Sequence, residues 1–435
     1  MTKRIMVDMS AAIIHHGHIR LLKNAAKYGK VIVGLTSDEE ILKKKFFEPE
    51  LSFIYRKEIL ESISYVSEVV EVPWLIDEKI LKKFDIDLLI HGSDNSNLIS
   101  ENKLLIFDRT KEISSSIIRN RALKAKIDIN NQKLMLTPGP AQILSENLQS
   151  LKPVFGRNDE EYDSILSEVL EWVKGIAGQD IVVPLQGSAT LAIEISAKAF
   201  LKGKVLIVST GYYSDRLKKL IPPELEMKKV KYSQLDTIKD NFDWVLCSYV
   251  ETSEAFKVDL NKIKDFATKN GAKLFIDATG SIGLEDNHDL ADVMAFSSCK
   301  GLFGLAGAAF IAYKKDISYS VNSNFFLNIE THINKLVTGP YHAICSLHGV
   351  IRKHSMLKKR VENSKNLVLE RYKNLTFQDN QPNLCTYLNG RLIANDKDVV
   401  LYQPRTQKKG SIVCHLGEIF SDELKIIDRI RIENN

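Results

Sequence analysis

The stretch RIMVDMSAAIIHHGHIRLLKNAAKYGKVIVGL, residues 4–35, combines two kinds of hydrophobic pattern. Residues 4–9 and 30–35 are short apolar runs that are typical of buried strands, whereas residues 18–28 have the spacing of an amphipathic helix. A strand followed by a helix and a second strand is typical of a crossover between parallel neighbours. This stretch therefore predicts an α/β fold with a parallel sheet.

The same alternation continues along the chain and loosens at about residues 124–134. A length of 435 residues also exceeds what one hydrophobic core usually supports. We therefore predict two α/β domains, residues 1–128 and 129–435, the second with a large part at 133–320 and a reduced small part at 340–435. Further strands are predicted at 67–73, 85–92, 180–185, 204–209, 244–250 and 273–277, and further helices at 56–66, 188–201, 322–336 and 342–374.

The composition is that of an ordinary globular protein, with 44% hydrophobic and 26% charged residues. The net charge of +5 comes from scattered lysines, and it suits phosphorylated small molecules at least as well as nucleic acid. Apolar runs are shorter than the roughly 18 residues of a membrane span, and the chain opens on a strand pattern instead of a secretory signal. Five widely spaced cysteines without a CxxC pair favour reduced thiols over disulfides or a zinc site. We expect a cytoplasmic protein without membrane or nucleic-acid partners.

Three histidines surround Gly17 where the first predicted strand gives way to the first helix. The free N–H groups and positive dipole end of a helix attract phosphate. Imidazoles at His15 and His18 could stabilise charge that develops on an α-phosphate during transfer. Chance placement and a zinc site are the alternatives, although HxGH without a nearby carboxylate or cysteine matches zinc spacing poorly.

A second junction, ISSSIIRNR at residues 113–121, opens a helix with three serine hydroxyls and offers Arg119 from its first turns. It suits the β- and γ-phosphates of a nucleotide, although serines at a helix start are more often simple caps. Between the two junctions lie a lysine cluster at 43–45, Arg56, and the strand end IHGSDN at 90–95. Each element is ordinary alone, and their order at successive strand ends indicates a site.

This ordered set resembles the nucleotidyltransferase superfamily with HxGH and ISSTxxR signatures, specifically its cytidylyltransferase branch. Within that branch it resembles the glycerol-3-phosphate cytidylyltransferases and the nucleotidyltransferase modules attached to phosphoenolpyruvate mutases. The resemblance covers residues 3–125 and implies a Rossmann-like fold, in which a substrate phosphate attacks the α-phosphorus of CTP and expels pyrophosphate. Mg²⁺ would bridge the phosphate oxygens, and no resident metal is implied. The implied catalytic residues are His15, His18, Lys44 and Arg119. The implied nucleotide-binding residues are Ser10, Gly17, Arg56, His91, Gly92, Asp94, Ser115, Ser116 and Arg119.

Two departures from this family affect the prediction of which nucleobase and which acceptor the domain binds. Many relatives carry GTFD before HxGH where this chain has MSAA at 9–12, and their later DDW is SDN at 93–95. The fold prediction does not depend on these positions. They leave open an alternative in which the first domain binds CTP as a regulator without turning it over.

The second domain carries another set of chemically distinctive residues. KLFIDATGSIG ends an apolar strand in Asp277, and VMAFSSCKGLFGLAGAAF places Lys300 after a further strand. A lysine in an apolar setting can lose its proton and form a Schiff base, and an aspartate could pair with a protonated pyridine nitrogen. Residues 187–190 form a strand-to-helix junction that suits phosphate, and STGYYSDR at 209–216 offers aromatic rings for a cofactor face.

The order of these elements resembles the class V, fold type I aminotransferases, which use pyridoxal 5'-phosphate, most closely the 2-aminoethylphosphonate–pyruvate and alanine–glyoxylate types. The supporting motifs are LMLTPGPAQI (134–143), GRNDEEY (156–162) and VETSEA (250–255), and the match runs from about 133 to 315. A segment TGPYH at 338–342 resembles one that reaches the partner subunit's cofactor in these enzymes, so the resemblance implies a homodimer.

The aminotransferase resemblance also implies a role for each residue of the cofactor site. Lys300 would carry the cofactor covalently and Asp277 would face its pyridine nitrogen. Tyr213 would stack on the ring, and Thr252 would approach the phenolic oxygen. The implied phosphate ligands are Ser188, Ala189 and Thr190, with Ser298 as a further candidate.

The tail departs most from the aminotransferases, because Ile412 stands where relatives have an arginine that grips a substrate anion. The resemblance thus implies a shortened C-terminal small domain. Arg405, Lys408 and Lys409 are nearby candidates for the anion grip, and plain surface charge is the alternative interpretation.

Together the two resemblances imply a bifunctional enzyme in which one product is the other domain's substrate. We favour amination of dihydroxyacetone phosphate, with glutamate or alanine as donor, to serinol phosphate, followed by cytidylyl transfer to CDP-serinol for a surface polysaccharide or lipid. The alternative pair is phosphonoacetaldehyde and 2-aminoethylphosphonate, ending in its CMP ester. A second domain that only dimerises is a further alternative, against which Lys300 and Asp277 argue. Desulfuration would need a mobile cysteine, which Cys385 and Cys414 do not obviously supply.

Overall fold

A computed structural model describes residues 2–130, 133–152, 155–156, 158–376, 379–406, 409–418 and 429–433. The chain divides into two compact units, Met1–Ala125 and Lys126–Asn435, and the division falls near the boundary predicted between residues 128 and 129. Among the helices of these described ranges, none is long and apolar enough to cross a membrane.

The first unit is built on a parallel five-stranded sheet of order β3-β2-β1-β4-β5. Its strands are β1 Arg4–Met9, β2 Lys30–Thr36, β3 Glu68–Val72, β4 Leu88–Gly92 and β5 Leu104–Phe107. Its helices are α1 His16–Ala25, α2 Asp38–Lys45, α3 Phe53–Glu61, α4 Glu78–Lys83 and α5 Ser115–Asn130, the last of which continues past the division.

The order of this sheet reverses between β1 and β4, since β2 and β3 lie on one side of β1 and β4 and β5 on the other. Ligands of open parallel sheets bind at such a switch point, outside the carboxyl ends of the strands. Alternate residues of β1 enter different hydrophobic clusters, Ile5 and Val7 in one and Met6 in the other. Both faces of the central strand are therefore covered, as a continuous apolar strand requires.

The second unit contains a seven-stranded sheet of order β7-β15-β14-β13-β10-β8-β9, in which β15 alone runs antiparallel to its neighbours. Its strands are β7 Ile181–Gln186, β8 Lys204–Ser209, β9 Glu226–Lys231, β10 Trp244–Ser248, β13 Lys273–Asp277, β14 Val293–Ser297 and β15 Ala308–Tyr313. The neighbouring helices are α6 Ser145–Gln149, α7 Glu160–Ala177, α8 Ala189–Phe200, α9 Tyr212–Arg216 and α10 Leu260–Lys269. Alternate residues of β8 enter two different core clusters, so the sheet is buried on both faces.

Shorter elements complete the second unit. They are β6 Leu134–Leu136, β11 Val250–Glu251, β12 Phe256–Lys257, α11 Ile329–Ile333, α12 Tyr341–His348, α13 His354–Arg371, β16 Cys385–Leu388, β17 Leu392–Ala394, β18 Val399–Leu401, β19 Ser411–Cys414 and β20 Ile430–Ile432. The tail strands pair as β16 with β19, β17 with β20, and β18 with β6. Ile412 on β19 is buried in the core, which explains why an apolar residue is accommodated at that position.

Two of the helix predictions were too long. Within 322–336 only α11 is helical, because the side chains of Asn322 and Asn324 accept nearby backbone N–H groups and so compete with a helix there. The helix begins only after Asn328, whose side chain caps it by accepting the N–H of Glu330. The region 342–374 forms two helices instead of one. It breaks at Gly349, where a Cβ would lie 2.4 Å from the carbonyl oxygen of Glu146.

Candidate active sites

The two histidines of HxGH form a small hydrogen-bonded cluster at the start of α1. The Nδ1 atom of His15 accepts the backbone N–H of Gly17 at 3.2 Å, and Nδ1 of His18 accepts the backbone N–H of His15 at 3.3 Å. The two ring centroids are 4.0 Å apart. Because each Nδ1 is an acceptor, the proton of each neutral ring sits on Nε2, so both rings can donate to an anion.

The surroundings keep these rings neutral. Burial, with further contributions from His15 and Arg109, lowers the pKa of His18 to about 3. Burial also lowers the pKa of His15, and His16 and Arg109 add to the effect. The pair is therefore fitted to donate hydrogen bonds at neutral pH without carrying positive charge.

Two basic side chains approach this cluster, Lys45 of the predicted lysine cluster and Arg109, which the sequence prediction did not name. Lys45 donates from Nζ to Oγ of Ser10 at 3.2 Å, and it contributes to the lowered pKa of His18. Arg109, in the loop after β5, also contributes to the lowered pKa of His18, and its Nη1 lies 3.3 Å from Oδ2 of Asp94. Both Lys44 and Lys45 are exposed, and it is the contact with Ser10 that favours Lys45 over the predicted Lys44 as the lysine of the site. Arg109 was missed because no motif marks it, although its place after a strand end could have pointed to it.

Adjacent lysines allow a matched test. We expect Lys45→Ala to raise KM for CTP by about tenfold, the loss typical of one hydrogen bond to a charged group. Lys44→Ala should stay near wild type, because the contact with Ser10 is made by Lys45 and not by Lys44. Pyrophosphate release at varied CTP measures both variants. Equal effects of the two substitutions would contradict the assignment.

The second predicted cradle lies at the start of α5. The hydroxyl of Ser114 caps the helix by accepting the N–H of Ile117 at 3.2 Å, and Ser115 donates to the carbonyl of Ile13 at 3.4 Å. Ser116 is exposed. The bond from Ser115 to Ile13 joins this helix start to the segment before HxGH, so the two predicted phosphate cradles are neighbours.

Arg119 is engaged with an acidic partner in this structure. It pairs with Glu50 through two nitrogen–oxygen contacts, that from Nη2 being 2.7 Å long, and it stands 4.4 Å from the ring centroid of Phe47. The hydrogen bond lowers the pKa of Glu50. A triphosphate would have to replace Glu50 as the partner of Arg119.

Arg56 does not have the predicted position at the nucleotide. It is fully buried and donates to the carbonyls of Ser10 at 2.5 Å and Thr36 at 2.9 Å and to the carboxylate of Asp38 at 2.6 Å. These bonds hold the chain after β1 against the end of β2. Nε of Arg56 also donates to the carbonyl of Leu51 at 3.0 Å. The prediction of direct nucleotide contact by Arg56 does not fit this geometry, because a buried guanidinium occupied by four acceptors has a supporting role.

The IHGSDN segment comprises the end of β4 and the loop that follows it. It lies on the other side of the switch point from β1, the strand that leads to HxGH. His91, at the end of β4, donates from Nδ1 to the carbonyl of Gly92 at 3.0 Å. Its Nε2 stands 3.6 Å from Oδ2 of Asp8 at the end of β1, and Asp94 lies 3.9 Å from Nδ1. Asp8 is a buried carboxylate that sequence reasoning overlooked, since it lies within an apolar strand.

The second unit has a cleft of about 210 Å³ at the carboxyl ends of its parallel strands. Seven of the eight predicted cofactor residues line it: Ser188, Ala189, Thr190, Tyr213, Thr252, Asp277 and Lys300. Residues that were not predicted also line it, namely Arg216, Val250, Thr279, Gly280 and Ser297. The topology thus brings together residues that are more than a hundred positions apart in the chain.

Lys300 and Asp277 form the polar centre of this cleft. Burial lowers the pKa of Lys300, and the Asp277 carboxylate opposes that shift in part. Asp277 accepts the N–H of Thr279 at 3.0 Å. Gly139 in the TPGP motif presses against the lysine: its φ is +121°, and a Cβ there would lie 2.9 Å from Cγ of Lys300. A lysine held this way has a fixed direction and a weakened hold on its proton.

The VETSEA motif positions Tyr213 through the side chain of Glu251. The buried carboxylate of Glu251 accepts the N–H groups of Tyr213 at 3.2 Å and Ser214 at 2.9 Å, and the hydroxyl of Ser253 at 2.6 Å. This interaction caps the short helix α9. The carboxylate of Glu251 therefore fixes the backbone that carries the Tyr213 ring. The order of the motifs along the chain did not indicate this contact.

Ser298 does not line the cleft. Its hydroxyl donates to the carbonyls of Leu305 at 2.5 Å and Ala308 at 3.1 Å, and its side chain is fully buried. The preceding residue, Ser297, faces the cleft instead. The prediction that Ser298 holds phosphate does not fit this geometry, because successive residues at a strand end point in opposite directions.

Of the three candidates for the anion grip, Arg405 approaches the cleft. Its Nη1 donates to the hydroxyl of Tyr212 at 3.0 Å, and its guanidinium lies 5.3 Å from the centroid of that ring. The contact with Tyr212 raises the pKa of Arg405, and Tyr213 and Tyr402 add to this effect. Lys409 is exposed, and Lys408 lies outside the described residues, as does Arg157 of the GRNDEEY motif.

Comparison with known proteins finds relatives of the first unit and of the second unit separately. A family model described as cytidylyltransferase-like matches residues 10–121. A glycerol-3-phosphate cytidylyltransferase from Staphylococcus aureus is 30% identical over 122 residues, which cover 27% of this chain and 92% of the relative. The chain belongs to the cytidylyltransferase-like family. The matched residues all fall within the first unit, hereafter the cytidylyltransferase unit.

The second unit is similar to aminotransferases. A 2-aminoethylphosphonate–pyruvate transaminase from Pseudomonas putida is 24% identical over 261 residues, covering 52% of this chain and 70% of the relative. The structure of a subgroup IV aspartate aminotransferase from Thermus thermophilus has a TM-score of 0.58 at 18% identity, covering 65% of this chain and 93% of that one. The predicted fold type I architecture is confirmed, and the chain is an enzyme that combines a cytidylyltransferase with an aminotransferase.

Such aminotransferases imply pyridoxal 5'-phosphate, and the cleft fits it. The start of α8 offers N–H groups to a phosphate, and Asp277 offers a carboxylate to a pyridinium. The Thr279 hydroxyl and Nε of Arg216 are buried and have no hydrogen-bond partner in the part of the chain that the structure describes. Polar groups that are left unpaired in a cleft are typical of a site made for a polar ligand.

Proposed function

We propose that the aminotransferase unit converts a phosphorylated carbonyl compound into a phosphorylated amine and that the cytidylyltransferase unit transfers CMP from CTP to the phosphate of that product, releasing pyrophosphate. The observation that carries this proposal is the presence of both sets of site residues on one chain. We favour dihydroxyacetone phosphate, which gives serinol phosphate and then CDP-serinol. Glutamate or alanine is the amino donor in this scheme, and a surface polysaccharide or lipid receives the product.

In cytidylyl transfer, the chain's own groups would act by positioning and charge stabilisation. CTP with Mg²⁺ would lie at the starts of α1 and α5, with Lys45, Ser115, Ser116 and Arg119 on its phosphates. The acceptor phosphate attacks the α-phosphorus, and the bond to the leaving pyrophosphate breaks. His15 and His18 would donate from Nε2 to oxygens that gain charge as this happens. Because both rings stay neutral, their hydrogen bonds strengthen with the developing charge.

In transamination, bound pyridoxal phosphate supplies an electron sink. Lys300 would hold the cofactor and move a proton at the substrate carbon, which requires the weakly held proton that its burial provides. Asp277 would keep a proton on the pyridine nitrogen. Tyr213 would cover one ring face, and residues 188–190 would hold the phosphate at the start of α8.

An alternative function pairs phosphonoacetaldehyde with 2-aminoethylphosphonate and its CMP ester. The similarity to 2-aminoethylphosphonate–pyruvate transaminases supports it. The similarity of the first unit to a glycerol-3-phosphate cytidylyltransferase supports the three-carbon substrate. A non-catalytic CTP sensor is a third possibility, and the intact donor geometry of His15 and His18 argues against it.

We further propose that the enzyme is cytoplasmic and forms a homodimer through the aminotransferase unit. The basis is the resemblance of residues 338–342 to the segment that reaches the partner subunit in this family. Analytical ultracentrifugation would test the dimer, and a monomer that is active at all concentrations would contradict it.

The substrate phosphate in transamination needs a cation, and Arg405 is the candidate on the tail. We expect Arg405→Ala to raise KM for the phosphorylated carbonyl substrate about tenfold, as for loss of one charge-assisted contact. Arg391→Ala is the matched control, since Arg391 is an exposed tail arginine paired with Glu433. Initial rates of amine formation measure both. An unchanged KM in the Arg405 variant would remove Arg405 from the anion site.

A one-pot assay tests the overall proposal. It contains CTP, Mg²⁺, pyridoxal phosphate and glutamate or alanine, with dihydroxyacetone phosphate and phosphonoacetaldehyde offered separately. Formation of a CDP-linked or CMP-linked amine, detected by mass and by pyrophosphate release, is the expected result and names the substrate. Pyrophosphate release with glycerol 3-phosphate alone would overturn the two-step function.

A further inference from the structure

The switch point of the cytidylyltransferase sheet is bordered by a pair of side chains that the transfer mechanism does not use. Asp8 stands near the end of β1, and His91 near the end of β4. The register pairs Val7 with Ile90, so the next residues along each strand, Asp8 and His91, face each other across the crevice. This is where open parallel sheets bind their ligands.

The hydrogen-bonding capacity of the buried Asp8 carboxyl group is only partly used by the residues that the structure describes. The residue is 9% exposed, and its Oδ2 accepts a hydrogen bond from Nδ2 of Asn97 at 3.0 Å. Its Oδ1 is buried and lacks a hydrogen-bond partner among the described residues. Asp94 differs, because Arg109 pairs with its carboxylate. A buried carboxylate with one unused oxygen is costly unless a cation or donor joins it.

His91 offers a second acceptor beside this carboxylate. A carbonyl can only accept, so the 3.0 Å contact with Gly92 requires the proton of His91 on Nδ1. In the neutral ring Nε2 is then an acceptor, and it lies 3.6 Å from Oδ2 of Asp8. The crevice thus presents the buried carboxyl group of Asp8 and a ring nitrogen of His91 side by side. Burial raises the pKa of Asp8, so a cation bound there would favour the charged form that burial disfavours.

The chemistry of these acceptors distinguishes between possible cations. Within the ranges that the structure describes, no group of three or more His, Cys, Asp or Glu is arranged to hold a metal ion. An alkylammonium needs fewer partners, because it carries its own charge and three N–H donors. A hydroxyl has one donor and no charge, so it would leave the carboxylate without a counter-charge.

We propose that Asp8, supported by His91, binds the ammonium group of the acceptor and so makes the cytidylyltransferase unit select an aminated acceptor over its hydroxyl analogue. This inference rests on the proposed function, because an ammonium is what the aminotransferase unit would put on the acceptor. It assigns the selection to a residue outside the HxGH and ISSS motifs. It also explains how a unit related to a glycerol-3-phosphate enzyme would handle a different acceptor.

Matched acceptors test the assignment on the full-length enzyme. Serinol phosphate and glycerol 3-phosphate differ by one amino group in place of a hydroxyl, and 2-aminoethylphosphonate and 2-hydroxyethylphosphonate form an equivalent pair. Pyrophosphate release with CTP gives kcat/KM for each. We expect wild type to prefer the amine. Asp8→Asn should lower kcat/KM for the amine by about 10- to 100-fold, the range for losing a hydrogen bond to a charged group. Its kcat/KM for the hydroxyl analogue should change little.

Asp85→Asn is the control for loss of one negative charge. Asp85 is exposed, precedes the amino end of β4, and has a φ of +55°, which asparagine adopts readily. Its acceptor preference should equal that of wild type. Unchanged aminotransferase activity and an unchanged KM for CTP would show that the Asp8 variant is folded.

Each outcome decides between the inference and the function. An Asp8 variant that keeps the wild-type preference for the amine overturns the inference and leaves the proposed function standing. A wild type that accepts the hydroxyl compounds and rejects both amines overturns the proposed function. A wild-type ratio near one for both pairs overturns selection by Asp8 without any variant, so the test does not depend on the variant folding.

Discussion

Lys300→Ala is expected to abolish transamination. The lysine is half-buried in the cleft that it lines together with Asp277, and its removal from solvent lowers its pKa. Loss of a proton-transferring group costs about 10²- to 10⁴-fold in rate, and loss of the covalent attachment adds to this. Amine formation from the carbonyl substrate measures the effect, and visible absorbance of the enzyme with pyridoxal phosphate reports the attachment.

Three controls separate chemistry from folding in the Lys300 experiment. Lys315→Ala removes an exposed lysine of the same unit and should leave transamination near wild type. Lys300→Arg keeps charge and bulk but cannot give up its proton, so it should be as inactive as the alanine variant. Cytidylyl transfer to preformed amine should survive in every variant. Transamination that persists in Lys300→Ala would refute the assignment.

His18→Ala is expected to lower kcat of cytidylyl transfer by about 10²- to 10³-fold, the cost of removing one donor from a site of developing charge. KM for CTP should change less, because the donor acts mainly as charge builds up. His18→Gln should recover part of the loss, since its amide can donate from a similar position. The exposed neighbour His16 provides the control, and His16→Ala should stay close to wild type.

The pH profile offers an independent check on His18. Its pKa is lowered to about 3, so the ring takes up a proton only when the pH falls towards that value. Between pH 8 and pH 5 it stays neutral, and its titration should not reduce the rate over that interval. A fall in kcat with a midpoint near 6.5 that disappears in His18→Gln would contradict this, because it would show an imidazole titrating at its ordinary pKa.

Much of the fold was accessible from sequence, because it depends on local patterns. The apolar runs around HxGH become β1 and β2 with α1 between them, and Lys300 and Asp277 follow strands β14 and β13 as predicted. The helix predictions failed at 322–336, where asparagine side chains bind the backbone, and at Gly349, where a distant carbonyl comes close. Side-chain competition and contacts from remote segments leave little trace in hydrophobic periodicity.

The sequence by itself determined the class of fold, the two-unit order and the identity of the main motifs, since these depend on residue type and spacing along the chain. Which of two adjacent residues belongs to a site was decided by the tertiary structure. Lys45 and not Lys44 meets Ser10, and Ser297 and not Ser298 meets the cleft. Adjacent residues on a helix or strand face different directions, and only the packing of the elements determines which direction holds the site. The same is true of Asp8, whose strand reads as apolar core until β4 brings His91 beside it.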